Sequence, residues 1–269
     1  MGTWMWMLVA AVGAAVGALL IHHARFLAWH ARKGRSAPIG LGWVWLEARD
    51  GLPLAWWMVR AFLRDGLMQP ERASGRPIVF IHGYTQNATN FWGLRRWLHA
   101  VGRPTVGVSL HHRLAPVAWY AARLERHLER LVRDHPDGLD VVAHSMGGIV
   151  LRVVLCARAD LRAAVRTVVT LGSPHHGTAA ARGVGFLPEP SALRRGSALV
   201  RQLPHLSELL PHARVVSVAA DADTVVYPVE TALVPAAEHV VLPGIGHAGL
   251  LSHPRAWEAV GQALQELTT

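Results

Sequence analysis

Cysteine and lysine are nearly missing from this chain of 269 residues. Its one cysteine, Cys156, excludes an internal disulfide, so the fold rests on packing alone, while a single thiol does not settle the redox compartment. The positive charge is almost all arginine: Lys33 is the sole lysine among 27 basic residues, against 18 acidic ones, for a net charge of +9. Charged residues are also scarce, at 17% against 51% apolar, with a mean hydropathy of +0.23, which excludes a disordered or low-complexity chain. No H-E-x-x-H or Cys/His spacing accompanies the 17 histidines. Pairs such as His111-His112 and His175-His176 therefore read as structural or surface residues, and no metal site is expected. No internal repeat is visible.

The charge is not laid out for nucleic acid either. Residues 1–76 carry nine basic and four acidic side chains, and residues 77–269 carry eighteen and fourteen. More than half of the surplus thus sits in the first third, and the remainder is too thinly spread for a basic stripe. The tryptophans share this skew, with seven of eleven before residue 60. Thr3 to Ile21 is a run of nineteen positions without a charge, and a helix of that length spans most of a hydrocarbon core of about 30 Å. Trp4 and Trp6 stand at one end, and His22, His23, Arg25, Arg32, Lys33 and Arg35 follow at the other. A secretory signal would carry its charge first and a small-residue cleavage site after. The expectation is a retained single-pass membrane anchor over residues 1–35, with the positive flank, and the bulk of the chain, on the cytoplasmic side. Gly13 and Gly17 form a GxxxG, weak support for helix pairing, and the oligomeric state stays open. Residues 36–76 read as an interfacial helical region and linker. A helix starting at Pro53 and running through Trp56, Trp57 and Phe62 towards Gly66 is favoured over a hairpin turning at Asp50-Gly51.

From residue 77 the pattern alternates. Short β-branched runs, Ile78–Ile81, Thr105–Ser109, Leu139–Ala143, Thr167–Leu171, Arg214–Ala219 and His239–Leu242, read as buried parallel strands. Helical stretches lie between them, Val117–Asp134 being the clearest, with Leu124, Leu128 and Leu131 opposite a charged face. Strands alternating with helices imply an α/β domain whose site lies at the carboxyl ends of the strands.

Four of those strand ends carry pieces of one chemistry. The third ends in Ala143-His144-Ser145-Met146-Gly147-Gly148, where small neighbours let a serine occupy a sharp strand-to-helix turn. The usual form is G-x-S-x-G, and alanine in first place still fits. A serine hydroxyl needs a base oriented by a carboxylate. His247, between glycines after the last strand, is the candidate base, and Asp223, after the fifth, the candidate acid. Asp221 is its rival, or a cap for the turn. The first strand ends in His82-Gly83-Tyr84-Thr85. Backbone N–H groups of Tyr84 and of Met146 are the expected donors to an oxyanion. His82, Gly83 and His144 are expected to border the substrate, Gly83 because a side chain there would crowd it, and His82 chiefly as a hydrogen-bonder of its turn.

Residues 77–269 resemble the bacterial lipase/esterase branch of the α/β-hydrolase superfamily. The stretches that carry the likeness are IVFIHGYTQN (78–87), VVAHSMGG (141–148), VVTLGSPHHGT (168–178), DADTVV (221–226) and GIGHAGLL (244–251). The alanine of AHSMG is similar to the form in small bacterial lipases, and an A-D-x-x-V stretch falls on Asp223 rather than Asp221. The resemblance implies the α/β-hydrolase fold, a mainly parallel sheet with helices on both faces, here preceded by the N-terminal transmembrane and interfacial region. It also implies a serine ester hydrolase that cleaves lipid or other apolar acyl esters through an acyl-enzyme, with no cofactor. A thioesterase or acyltransferase on the same residues is the alternative, and a non-catalytic binding scaffold a more distant one. The hydrophobic N-terminal third and the lack of a signal peptide depart from the secreted members.

Three features stand beside this core. Ser173 precedes Pro174, which prevents a helix from starting there. Residues 183–212, rich in leucine and broken by Pro188, Pro190, Pro204 and Pro211, read as a small cap or as helix packed on the sheet. Cys156 is expected to be a buried core residue.

Overall fold

The structure, a computed structural model, describes residues 20–21, 23–34, 42, 46, 49–52, 75–110, 115–181 and 191–265. Within them, β1 (Ile78–Ile81), β2 (Thr105–Val108), β3 (Leu139–His144), β4 (Val165–Leu171), β5 (Arg214–Ala220) and β6 (Glu238–Leu242) form one sheet in the order β2-β1-β3-β4-β5-β6. Every neighbouring pair is parallel. All six expected strands are present, with some ends moved by a residue or two.

Side-chain alternation gives the sheet two apolar faces. Ile78 and Phe80 of β1 join Phe91, Leu94 and Leu98 in one core cluster, and Val79 and Ile81 point into the other. The first face is covered by α1 (Trp92–Ala100) and by a helix near the C-terminus, Pro254–Ala263. The second is covered by α2 (Val117–Asp134) and α3 (Met146–Ala157). Tyr120, Leu124 and Leu128 recur every four residues along α2 and are buried, the stripe that makes this helix amphipathic. The chain leaves β1 for β2 on one side and returns to β3 on the other. Its switch point, where α/β sheets open a crevice, therefore lies between β1 and β3.

Beyond α3, the described part of the cap-like stretch holds α4 (Ala198–Gln202) and α5 (Leu206–Leu209). Leu193, Leu206 and Leu210 are buried in the same cluster as Val150 of α3, so this part packs on the domain. Residues 182–190 lie outside the described residues. Cys156 corrects an expectation: near the end of α3 it is exposed, because the helix buries Leu151, Val154 and Leu155 instead.

The N-terminal third requires a larger correction. Among the described residues no helix is long and apolar enough to cross a membrane, so the single-pass anchor, and the cytoplasmic placement built on it, are not supported. Residues 1–19 of the expected span lie outside the described residues, as do 53–74, which hold the expected interfacial helix. The basic flank has a different physical role. Residues 23–32 are helical, and His23, Phe26 and His30, three and four apart, form its buried face. Phe26 packs edge-on against Tyr227 with ring centroids 5.2 Å apart, and Ala179 completes the cluster. Arg25, Arg32 and Lys33 are exposed, so the positive residues form the solvent side of a helix docked on the domain. Residues 49–52 are helical, which excludes the hairpin turn, and the hydroxyl of Ser252 donates to the carbonyl of Asp50 at 2.9 Å.

Candidate active site

Ser145 lies between the last residue of β3 and the first of α3, with φ 54° and ψ −129°. A residue with a β-carbon pays strain there, on the order of 1–3 kcal/mol, which the flanking strand and helix must offset. They hold it from both sides: its N–H donates to the carbonyl of Leu171 at 2.9 Å, and its carbonyl accepts from the N–H of Gly148 at 3.1 Å.

The loop after β1 closes over the serine. A β-carbon on Gly83 would lie 2.8 Å from Cβ and 3.3 Å from Oγ of Ser145. Gln86 fixes this loop, because its Oε1 accepts from the N–H of Gly83 at 2.9 Å and from Nδ1 of His144 at 3.0 Å. His82 is turned into the loop and buried: Nε2 accepts from the N–H of Leu110 at 2.9 Å, which leaves Nδ1–H to donate to the carbonyl of Gly83 at 2.8 Å. Both ring nitrogens are thus committed to backbone, which leaves neither for a substrate.

Asp223 and His247 meet after β5 and β6. Nδ1 of His247 is 2.6 Å from Oδ2 of Asp223, and Oδ1 accepts from the N–H groups of Val225 and Val226 at 2.7 Å each. The two amides fix the carboxylate so that its other oxygen faces the imidazole. With Nδ1–H donated to the acid, Nε2 is left as the basic nitrogen. Asp223 is 2% exposed and His247 9%, so the pair is shielded from water. Asp221 does something else: its Oδ1 accepts from the N–H of Gly244 at 2.7 Å and caps that turn.

Shared neighbours bring the serine and the imidazole to the same edge. His144 precedes Ser145, and its ring centroid is 4.6 Å from that of His247. Burial pushes the His144 pKa well below the ordinary histidine value, and the adjacent His247 adds to this, so His144 is neutral; its Nδ1 faces Gln86 Oε1 at 3.0 Å and its Nε2 the carbonyl of His247 at 3.4 Å. On the other side, Gly172 has φ +55°, and a β-carbon there would come within 3.2 Å of both Asp223 Oδ2 and His247 Nδ1.

Sequence reasoning missed two residues that brace the loops here, Gln86 and Arg152. Gln86 lay within a recognised stretch, but nothing in its type announced a bond to Gly83. Arg152 is fully buried on α3, an arginine inside an otherwise apolar helix, and donates to the carbonyls of His175 at 2.8 Å, Leu203 at 2.6 Å and Pro204 at 3.1 Å. The Ser173 hydroxyl is buried and approaches the carbonyl of Ala143 at 3.5 Å, away from any elbow. No group of three or more His, Cys, Asp or Glu able to hold a metal occurs among the described residues.

A parallel sheet in this order, with a strained serine between its central strand and the next helix, is the α/β-hydrolase fold. The family described as "PGAP1-like alpha/beta domain" matches residues 118–189, from α2 through the serine turn to beyond β4. A comparison with curated proteins gives no match. Among solved structures, Aspergillus fumigatus lipase B is similar with a TM-score of 0.63 at 16% identity, over 71% of this chain and 52% of that one. The chain thus spans about half the length of that lipase. The mature form of Bacillus licheniformis lipase BlEst2 gives 0.56 at 16% identity, over 74% and 95% of the two chains. The metagenomic carboxyl esterase MGS0156 gives 0.58 at 17% identity, over 73% and 77%. Identities this low establish a common fold.

Proposed function

We propose that this protein is a serine hydrolase of carboxylic esters, acting on lipid or other apolar acyl esters through an acyl-enzyme on Ser145. The observation that carries the reading is the pairing of a strained, loop-covered serine with a buried Asp223–His247 couple at the same sheet edge. Ser145 Oγ attacks the acyl carbonyl as Nε2 of His247 takes its proton, and Asp223 stabilises the imidazolium that forms. The tetrahedral oxyanion accepts hydrogen bonds from the N–H groups of Tyr84 and Met146. His247 then returns its proton to the departing alcohol, and the same imidazole deprotonates the water that releases the acid. Nothing in this sequence of steps calls for a cofactor.

The apolar acyl group is supported by the lipases and esterases with which the chain shares its fold. Fluorophosphonate labelling followed by peptide mapping tests the serine, and p-nitrophenyl esters of rising chain length test the acyl preference. Adduct on Ser145, and turnover that rises with chain length and disappears in S145A, is the expected result. A folded chain that takes no label at Ser145, or an S145A variant with unchanged turnover, overturns the reading.

A further inference from the structure

Away from Ser145 the described part of the molecule has two adjoining cavities, with His176 and Arg195 as their common wall. The first, about 540 Å³, also takes in Arg201 and His205; the second, about 680 Å³, reaches Lys33 on the docked N-terminal helix and the acidic Glu230. Lys33, Arg195 and Arg201 have no ion-pair partner among the described residues. Among the described residues, three cations and two imidazoles therefore face these spaces against one carboxylate.

The walls are held by Arg152. Its guanidinium ties the backbone of the His175 loop to that of Leu203 and Pro204, which brings His176 and His205 together with ring centroids 4.9 Å apart and planes tilted by 49°. Burial lowers the Arg152 pKa to about 10, which still leaves it cationic at neutral pH. Its three hydrogen bonds go to neutral carbonyls, with Glu208 the acid whose charge it feels, so its charge adds to the field in the pocket. His176 donates Nε2–H to the carbonyl of Leu233 at 3.2 Å, and Nδ1 of His205 is buried without a hydrogen-bond partner. Such a lining suits a compact, multiply charged oxyanion. A phosphate accepts several N–H bonds at once, and guanidinium forks match its geometry. The first cavity is larger than a phosphate alone and leaves room for the alcohol that carries it.

We propose that this pocket is a second binding site, taking the phosphate of a phosphate monoester through Arg195 and Arg201, with His205 beside them. It uses none of the residues assigned to ester cleavage, so it stands or falls separately from that reading. The phosphate can be that of a soluble ester or of a lipid headgroup, and the test separates them. The full chain is titrated at constant ionic strength with inorganic phosphate, with glycerol 3-phosphate, and with a short-chain dialkyl-ether phosphatidate that no esterase cleaves. Saturable binding of at least one of them is expected, weakened about tenfold or more in R195Q/R201Q and unchanged in R133Q. Both pocket arginines are exposed, so the double variant keeps the core, and an unchanged melting curve verifies it. Tighter binding of the ether lipid than of glycerol 3-phosphate assigns the headgroup, and equal binding assigns a soluble ester. Binding of none of the three, or binding that is equal in the double variant, overturns the proposal.

Discussion

Gly83 stands so close to Ser145 that a β-carbon added to it would lie 2.8 Å from the serine's own. Real β-carbons do not approach so near, so G83A must push the β1 loop, the serine, or both away from their present positions. Displacing reacting groups by about 1 Å costs on the order of 100-fold in rate. The expected outcome for G83A is therefore a folded protein whose kcat on a p-nitrophenyl ester falls by about that factor. A rate within a few-fold of wild type would show that the loop yields without disturbing the serine.

The two aspartates after β5 make opposite predictions. Asp223 holds the proton of His247 on Nδ1, so D223N leaves the shape of the site while favouring the wrong tautomer, and kcat should fall by on the order of 10⁴. Asp221 only caps the turn at Gly244, and D221N should retain activity within a few-fold. Steady-state kinetics on the two purified variants, side by side, check the assignment.

Acid should destabilise the fold through His144 and His175. Burial holds both well below the ordinary histidine pKa of 6.5, so both are neutral in the folded protein at a pH where the unfolded chain takes up protons. Between those folded values and 6.5, stability therefore rises with pH and is lost as pH falls. Each such histidine contributes a slope of up to about 1.4 kcal/mol per pH unit. Urea unfolding at about pH 7, 6 and 5 measures the slope, and H144N, which keeps a donor towards Gln86, should remove one histidine's share.

Docking of the N-terminal helix hangs on Phe26, which is fully buried against Tyr227 and Ala179. Truncating a buried phenylalanine typically costs about 3–5 kcal/mol. In F26A this loss should fall on residues 23–32 rather than on the sheet. Hydrogen exchange should accelerate there and stay unchanged in β3 and β4, and uniform acceleration would mean that the helix and domain unfold as one unit.

The domain was legible because its signals were local. Each buried strand was a short β-branched run, and the small residues around Ser145 announced a turn that larger ones would block. The order of Ser145, Asp223 and His247 along the chain also pointed to the edge where the latter two bond. What stayed hidden depended on contacts across the fold. Gln86 gained its place from His144, 58 residues away, and Arg152 from carbonyls 23 to 52 positions on. The N-terminal reading failed for a related reason. Arg25, Arg32 and Lys33 look the same beside a membrane as on the outer side of a docked helix. The deciding residues, His23, Phe26 and His30, gained meaning only through Tyr227, about two hundred positions later.

β6 is the outermost strand on its side of the sheet, bonded only to β5 among the described strands, and most of its residues face solvent. The imidazole-bearing loop is suspended from this rim, whereas the serine is rooted in β3, flanked on both sides. Fraying on warming begins where a strand has a single neighbour. Warmed gradually, the protein would thus fall silent towards a serine-directed probe several degrees before its core melts, and cooling would restore the response.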